Sequence, residues 1–216
     1  MYVRAVFAEN DPVRIQALIR ENPFAPLVTA GARGIEASHV PFHLVEADNA
    51  AGFELQAHLS AGNPQCEALD GNEALAVFGG PHAYIAPGWY ETQPAVPTWD
   101  YCVVHVTGRL RAMTGTAEMM ALMRALSAAD PVGFDIDAMA PDYRSRMMAG
   151  IRAFVLEPRK VEAQWKLSQN RSREDQVAVI AALRAQGDVS AARVADRIEA
   201  DLPPDSCRVI PAGTKA

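Results

Sequence analysis

The sequence predicts a mainly β chain with peripheral helices (α+β), built on a small antiparallel barrel. Three observations point that way. Apolar residues recur with period two in several segments, the mark of half-buried strands. Helical segments fall between or after these strands without regular strand–helix alternation, which argues against a parallel doubly wound sheet. Half of the 216 residues are apolar and 21% are charged, enough apolar content for one sizeable core. Barrel closure would also remove exposed sheet edges.

The first helix opens with Asp11 as N-cap and Pro12 at the first helical position, and Ile15, Leu18 and Ile19 share one face. "NPF" ends it, and "APLVTAG" reads as a short strand closed by Gly31. In "SHVPFHL" Val40, Phe42 and Leu44 alternate with His39, Pro41 and His43; in "FELQAHL" Phe53, Leu55, Ala57 and Leu59 oppose Glu54, Gln56 and His58. The two pair as antiparallel strands across "EADNAAG". "ALAVFGG" is a further strand. Residues 80 to 98 carry Pro81, Pro87, Pro94 and Pro97 and are expected to form a structured loop.

"YCVVHVTGRLRA" resumes strand, and a helix follows with Met119, Leu122, Met123 and Leu126 on one side. A short helix from Pro141 to Gly150 leads into a last strand, where Val161, Ala163, Trp165 and Leu167 alternate with Lys160, Glu162, Gln164 and Lys166. Ser172, with Asp175 three residues on, starts another helix whose buried stripe is Val179, Ile180 and Leu183, and Gly187 ends it. The final helix begins near Ser190 with Val194 and Ile198 inward. In all, five or six strands are expected. Residues 1–171 form the barrel with inserted helices, 172–202 are helices packed on it, and 203–216 are a flexible tail.

A formal charge of -6 repels nucleic acid and anionic lipid unless a local patch reverses it. Cys66, Cys102 and Cys207 are odd in number, far apart and without C-x-x-C, so neither a disulfide framework nor a thiolate zinc site is indicated. A reducing compartment fits. With charged residues where a signal peptide needs an unbroken apolar run, and no segment of about 20 apolar residues, the expected address is the cytoplasm, with no membrane partner.

The only glycine-rich candidate, "FGGPHAYI", lacks the G-x-G-x-x-G spacing and a following helix, so any nucleotide must be held by side chains on strands. His39 and His43 share a strand face but stand about 13 Å apart, too far to share one metal; no metal site is predicted, although a single imidazole can serve as an axial haem ligand. No G-x-S-x-G nucleophile signature is present. Asp100 in "PTWDY" reads as a general base or as a turn residue. Phe78, Tyr84, Trp89, Tyr90, Trp99 and Tyr101 fall within 24 residues, where a 7% aromatic fraction gives fewer than two. That density fits rings folded onto the barrel or at a subunit interface, or rings bordering a planar ligand. "VAVIAALRAQGDVSAARVADRI" has the layout of a helix-turn-helix, yet its second helix offers only Arg193 and Arg197 as cations, so direct DNA binding is not expected.

Six phrases in order, "MYVRAVFAENDPVRIQALIRENPFAPLVT", "SHVPF", "LQAHLSAGNPQ", "LAVFGGPHAYIAPGWY", "VPTWDYCVVHVTGRL" and "WKLSQNR", resemble the PaiB-like proteins, usually described as FMN-binding negative transcriptional regulators. The likeness runs from Met1 to about Leu183. It implies a split β-barrel related to the pyridoxamine-phosphate oxidase and flavin reductase group, a homodimer, and FMN at the subunit interface. By position, "HLSAGNPQ" looks like the segment meeting the flavin phosphate, which points to Ser60, Asn63 and Gln65 with His58 on the strand before. His39 is similar to a neighbouring position facing the flavin, and Lys166, Gln169 and Asn170 look like late-strand donors from the other side. Lysine and carboxamides can satisfy a phosphate where no helix N-terminus receives it. Two departures stand out: Asp100 where the family pattern has Asn after Trp, and Arg4 where it has Pro. The implied activity is hydride or electron transfer by FMN, or transcriptional control exerted indirectly. Alternatives are a haem-binding or haem-degrading split barrel and a DNA-binding regulator acting through the C-terminal helices.

Overall fold

The computed structural model describes residues 1–128 and 130–202. In chain order these residues form β1 (Ala8–Glu9), α1 (Pro12–Glu21), β2 (Phe24–Gly31), β3 (Gly34–Pro41), β4 (His43–Glu46), β5 (Phe53–Ser60), β6 (Glu73–Ile85), β7 (Thr98–Ala112), α2 (Thr116–Ser127), α3 (Pro141–Ala149), β8 (Ile151–Lys166), α4 (Arg173–Ala185) and α5 (Val189–Asp201). The sheet runs β3-β2-β6-β7-β8-β5-β4, with β1 added on β8. Its two end strands, β3 and β4, are consecutive in the chain with only Phe42 between them, which joins the ends of the path into the predicted split barrel.

Among the described residues eight strands form rather than five or six. One addition is the two-residue β1; another arises at Pro41. Lacking an N–H, Pro41 ends β3, and Phe42 donates its own N–H to Pro23 O at 2.8 Å. The chain then leaves β2 to pair with β5, with His43 opposite Gln56. The expected loop at 80–98 is also shorter. β6 continues through Pro81 to Ile85, burying Pro81, Ala83 and Ile85 and exposing His82 and Tyr84. The period-two pattern outweighs the single missing donor of Pro81.

By compactness the chain falls into two units, Met1–Gly80 with Val103–Gln164, and Pro81–Cys102 with the chain from Trp165 onward. In the first, Phe42 meets Phe78 edge-on at 5.4 Å and Phe154 at 6.3 Å, beside fully buried Leu27 and Leu55. Such edge-to-face pairs add about 0.5–1.5 kcal/mol beyond area burial. The Asp11 carboxylate accepts from Val13 N at 2.9 Å, capping α1, which buries Ile15, Leu18 and Ile19 as its periodicity predicts. The stripe of α2 covers Ala153 and Val155 of β8, with Leu122 and Met113 buried and Met119, Met123 and Leu126 packed beside them. Gly108 on β7 permits a close approach to β8: a Cβ there would lie 2.1 Å from Glu157 O.

In the second unit the Ser172 hydroxyl accepts from Asp175 N at 3.1 Å and starts α4; Val179, Ile180 and Leu183 are buried. Gly187, at φ +70, takes the left-handed turn, and Asp188 caps α5 by accepting from Ala191 N at 2.8 Å. Val194 and Ile198 are buried. Thr92 N donates to the buried Asp175 at 2.9 Å, and the Gln93 amide donates to Pro87 O and Tyr90 O at 2.9 and 3.0 Å. The proline-rich loop is thus tied to α4 and to itself. The predicted flexible tail, with Cys207, lies outside the described residues. No described helix is long and apolar enough to cross a membrane.

Candidate functional site

In the first unit, Asn63 caps a short 3-10 turn: its Oδ1 accepts from Gln65 N at 2.9 Å while its Nδ2 donates to Ser38 Oγ at 2.9 Å. Gln65 is 1% exposed. Its amide nitrogen donates to Leu27 O and Thr29 Oγ1, both at 3.0 Å, and its Oε1 is buried without a hydrogen bond. These two carboxamides therefore staple the turn to one face of the β2–β3 hairpin. His39 is on the opposite face. It is exposed, in register with Pro26, and its ring lies 5.8 Å from Phe24.

Ser60 ends β5 with its side chain exposed, while its carbonyl accepts from Asn63 N at 2.9 Å and from the Cys66 thiol at 3.3 Å. His58 is in register with Ala153, so it faces the α2 side of the sheet rather than the side of Leu55 and Leu59. Its Nδ1 is buried without a partner, and burial holds its pKa below the ordinary histidine value. Arg152 went unrecognised in the sequence. Its guanidinium donates to Ile151 O at 2.9 Å and Ala149 O at 3.3 Å, and its charge opposes the burial that pushes the Cys66 thiol up. Its register opposite Leu59, inside the "HLS" segment, was the signal that only strand pairing could supply.

In the second unit, "KLSQNR" gathers around Asp100, which is 0% exposed on β7. Lys166 Nζ donates to Asp100 Oδ1 at 3.1 Å, to Thr98 Oγ1 at 2.7 Å and to the carbonyl of Trp99. Ser168 Oγ donates to Asp100 Oδ2 at 2.6 Å. Burial raises the Asp100 pKa, against the Ser168 hydrogen bond and the Lys166 charge. Ser168 has φ 60, an uncommon conformation for a residue with a Cβ. Gln169 closes the turn on itself, accepting from Leu167 N at 2.7 Å and donating to Trp165 O at 2.6 Å. Asn170 is exposed. The Arg171 guanidinium stacks 4.1 Å from the centroid of Tyr90.

The aromatic cluster divides. Phe78 belongs to the core, Tyr90 is buried, and Tyr84 and Trp99 remain exposed with ring centroids 5.9 Å apart. His82 lies 6.2 Å from Trp99. At the start of α5, Ser190 Oγ both donates to His82 O at 2.8 Å and accepts from His82 N at 3.1 Å. That engages the helix end a groove-reading helix would present to bases.

The sheet order defines an antiparallel split barrel. The family model described as "Putative FMN-binding domain" matches residues 1–160, and the chain belongs to that family. The "Protease synthase and sporulation protein PAI 2" of Bacillus subtilis is 30% identical over 208 residues, covering 94% of this chain and 98% of that protein. Among solved structures, an FAD and heme binding protein from Mycobacterium smegmatis superposes with TM-score 0.58 at 16% identity, covering 79% of this chain and 78% of that one. The flavocytochrome Anf3 from Azotobacter vinelandii gives TM-score 0.58 at 11% identity, covering 82% and 78%. At these identities the two structures establish a shared fold.

Proposed function

We propose that the chain binds FMN as a homodimer and acts through flavin chemistry in the cytoplasm, any influence on transcription being indirect. Membership of the FMN-binding domain family over residues 1–160 carries this reading. The donor set fits a phosphate-bearing ligand: no glycine loop is present, and the exposed hydroxyl of Ser60 and the guanidinium of Arg152 stand near the same end of the first unit's sheet. Ser60 is assigned the direct contact there. Asn63 and Gln65 act through the backbone they hold, and His58 lines the sheet with an unpartnered nitrogen. In the second unit Asn170 offers an open carboxamide, while Lys166 and Gln169 shape the loop that carries it; in the first unit His39 stands exposed beside the ring of Phe24. When bound, FMN would supply hydride or electron transfer, the protein setting its orientation and surroundings.

The test is a titration of the purified protein with FMN, FAD and haem, followed by absorbance and by thermal unfolding. FMN is expected to change its visible spectrum and raise the unfolding temperature, and Ser60→Ala to weaken it about tenfold, the loss of one hydrogen bond to a charged group. Absence of any flavin response overturns the reading, and a Soret band alone favours a haem protein. DNA binding that weakens steeply with salt would replace the indirect regulatory role with a direct one.

A further inference from the structure

α2 rests on a strip of the sheet that is partly polar. Along β5, Leu55, Ala57 and Leu59 are buried, so Gln56, His58 and Ser60 share the other face. Direct cross-strand partners share a face as well, which adds His43 of β4 opposite Gln56 and Ala153 of β8 opposite His58. The stripe of α2 packs on Ala153 and Val155, and the helix also meets β4. Because β5 lies between β8 and β4 in the sheet, α2 crosses it above Gln56 and His58.

The helix is lightly held there. Of its side chains only Leu122 is fully buried, and its N-cap, Gly115, supplies no side-chain hydrogen bond. Arg124 pairs with Asp137 at 2.6 Å, and Arg144 of α3 reaches the same carboxylate at 3.5 Å. These pairs bind α2, the turn at Ile136–Ala138 and α3 to one another rather than to the sheet. α3 buries no side chain of its own. Beneath α2, the Nδ1 of His58 is buried without a hydrogen-bond partner. In a neutral ring that nitrogen can be the bare one. In an imidazolium it carries a proton that meets no acceptor, beside the Met and Leu stripe of the helix.

We propose that α2, together with the turn and α3 behind it, is a lid over the outer face of β5 that opens when His58 takes up a proton from solvent. Burial alone holds the His58 ring below its ordinary value of 6.5. The charged groups around it are placed or engaged elsewhere. Glu54 stands toward the far end of β5, opposite Val45, and Arg152 shares the other face with Leu59. Glu118 of α2 pairs with Arg111 at 3.1 Å, and Arg124 with Asp137. His43, in the same strip, is also held low, by burial and by Arg20 of α1, so it acts with the same sign. The neutral rings favour the closed lid. Opening therefore grows as pH falls through the ordinary histidine value, about tenfold per pH unit until the closed-state value is reached. Ser60 lies two residues along the same face, so the lid governs access to that strand end. The device is read on the free protein and stands apart from the flavin reading.

Hydrogen exchange followed by mass spectrometry and corrected for intrinsic rates tests this at about pH 7.5 and about pH 5.5, either side of the ordinary histidine value. α2 is expected to exchange through an opening of its own, with protection at least about tenfold below that of β6, and to lose about a further tenfold in acid. His58→Leu should remove most of that acid loss. If this variant fails to fold, His58→Gln, which cannot titrate either, is read in its place. Equal protection of α2 and β6 would overturn the lid, since the helix would then open only with the whole fold. An α2 whose protection is the same at both pH values in the wild type, or an undiminished acid loss in the His58 variant, would overturn the proton switch.

Discussion

Replacing Lys166 with methionine tests how the Asp100 cluster is held. Asp100 is 0% exposed, and its two oxygens accept from Lys166 and Ser168. Removing the ammonium leaves a buried carboxylate with only the Ser168 hydroxyl among those two. Breaking a buried ion pair costs about 3–5 kcal/mol. The Lys166 side chain is 21% exposed, so the pair is partly hydrated and the lower end, about 3 kcal/mol, is expected. Asp100→Asn keeps an acceptor for Lys166 and removes the buried charge, so its cost should be about 1 kcal/mol or less. Acid distinguishes the two. The folded-state pKa of Asp100 is raised above 3.8 by burial, so its protonated form favours the fold, and that contribution is lost as pH rises through the raised value. Without Lys166 the pKa rises further. The deficit of Lys166→Met should therefore shrink as pH falls from neutrality toward the ordinary aspartate range, whereas that of Asp100→Asn should not. Urea unfolding followed by tryptophan fluorescence reads the difference as a midpoint loss of about 1 M at neutral pH, for a slope of about 3 kcal/mol per M. A Lys166→Met deficit that equals that of Asp100→Asn at neutral pH, or widens in acid, refutes the reasoning.

Gly108→Ala would set a Cβ 2.1 Å from Glu157 O and should lose at least about 3 kcal/mol in chemical unfolding, the upper range for overpacking; an unchanged midpoint would mean that β7 and β8 separate freely there. Burial lowers the pKa of His58 from 6.5, so its neutral form favours the fold and stability is lost as pH falls below that value. His58→Leu should flatten this acid slope while costing little at neutral pH, as measured by unfolding midpoints across mildly acidic buffers. Ser168→Ala keeps a strained φ 60 and removes the hydroxyl held by Asp100, whereas Ser168→Gly relieves the strain. Thermal unfolding should rank Gly above Ala by about 1 kcal/mol, and the reverse order would show that the backbone conformation is not strained.

Local chemistry made much of the fold legible. The Asp11 and Ser172 caps, the stripes of α1, α2 and α4, and the pairing of β4 with β5 follow from hydrogen-bonding side chains and spacing within a few residues, which act whatever the rest of the chain does. Pro81 lies within β6 because the alternation of buried and exposed residues from Pro81 to Ile85 outweighs its missing N–H. The candidate site was legible in residue identity but not in residue use. Nothing local says that Gln65 is engaged by Leu27 and Thr29, that Lys166 closes on Asp100, or that Arg152 stands opposite Leu59.

The sequence alone determined where most strands and helices begin, which apolar stripes enter the core, and which family the chain resembles, because those are set by short-range periodicity, capping and ordered motifs. The tertiary structure decided which polar groups are already satisfied and which remain open. That choice depends on partners dozens of residues away: Asp100 and Lys166 are 66 residues apart in the chain, and their meeting is fixed by sheet register and burial.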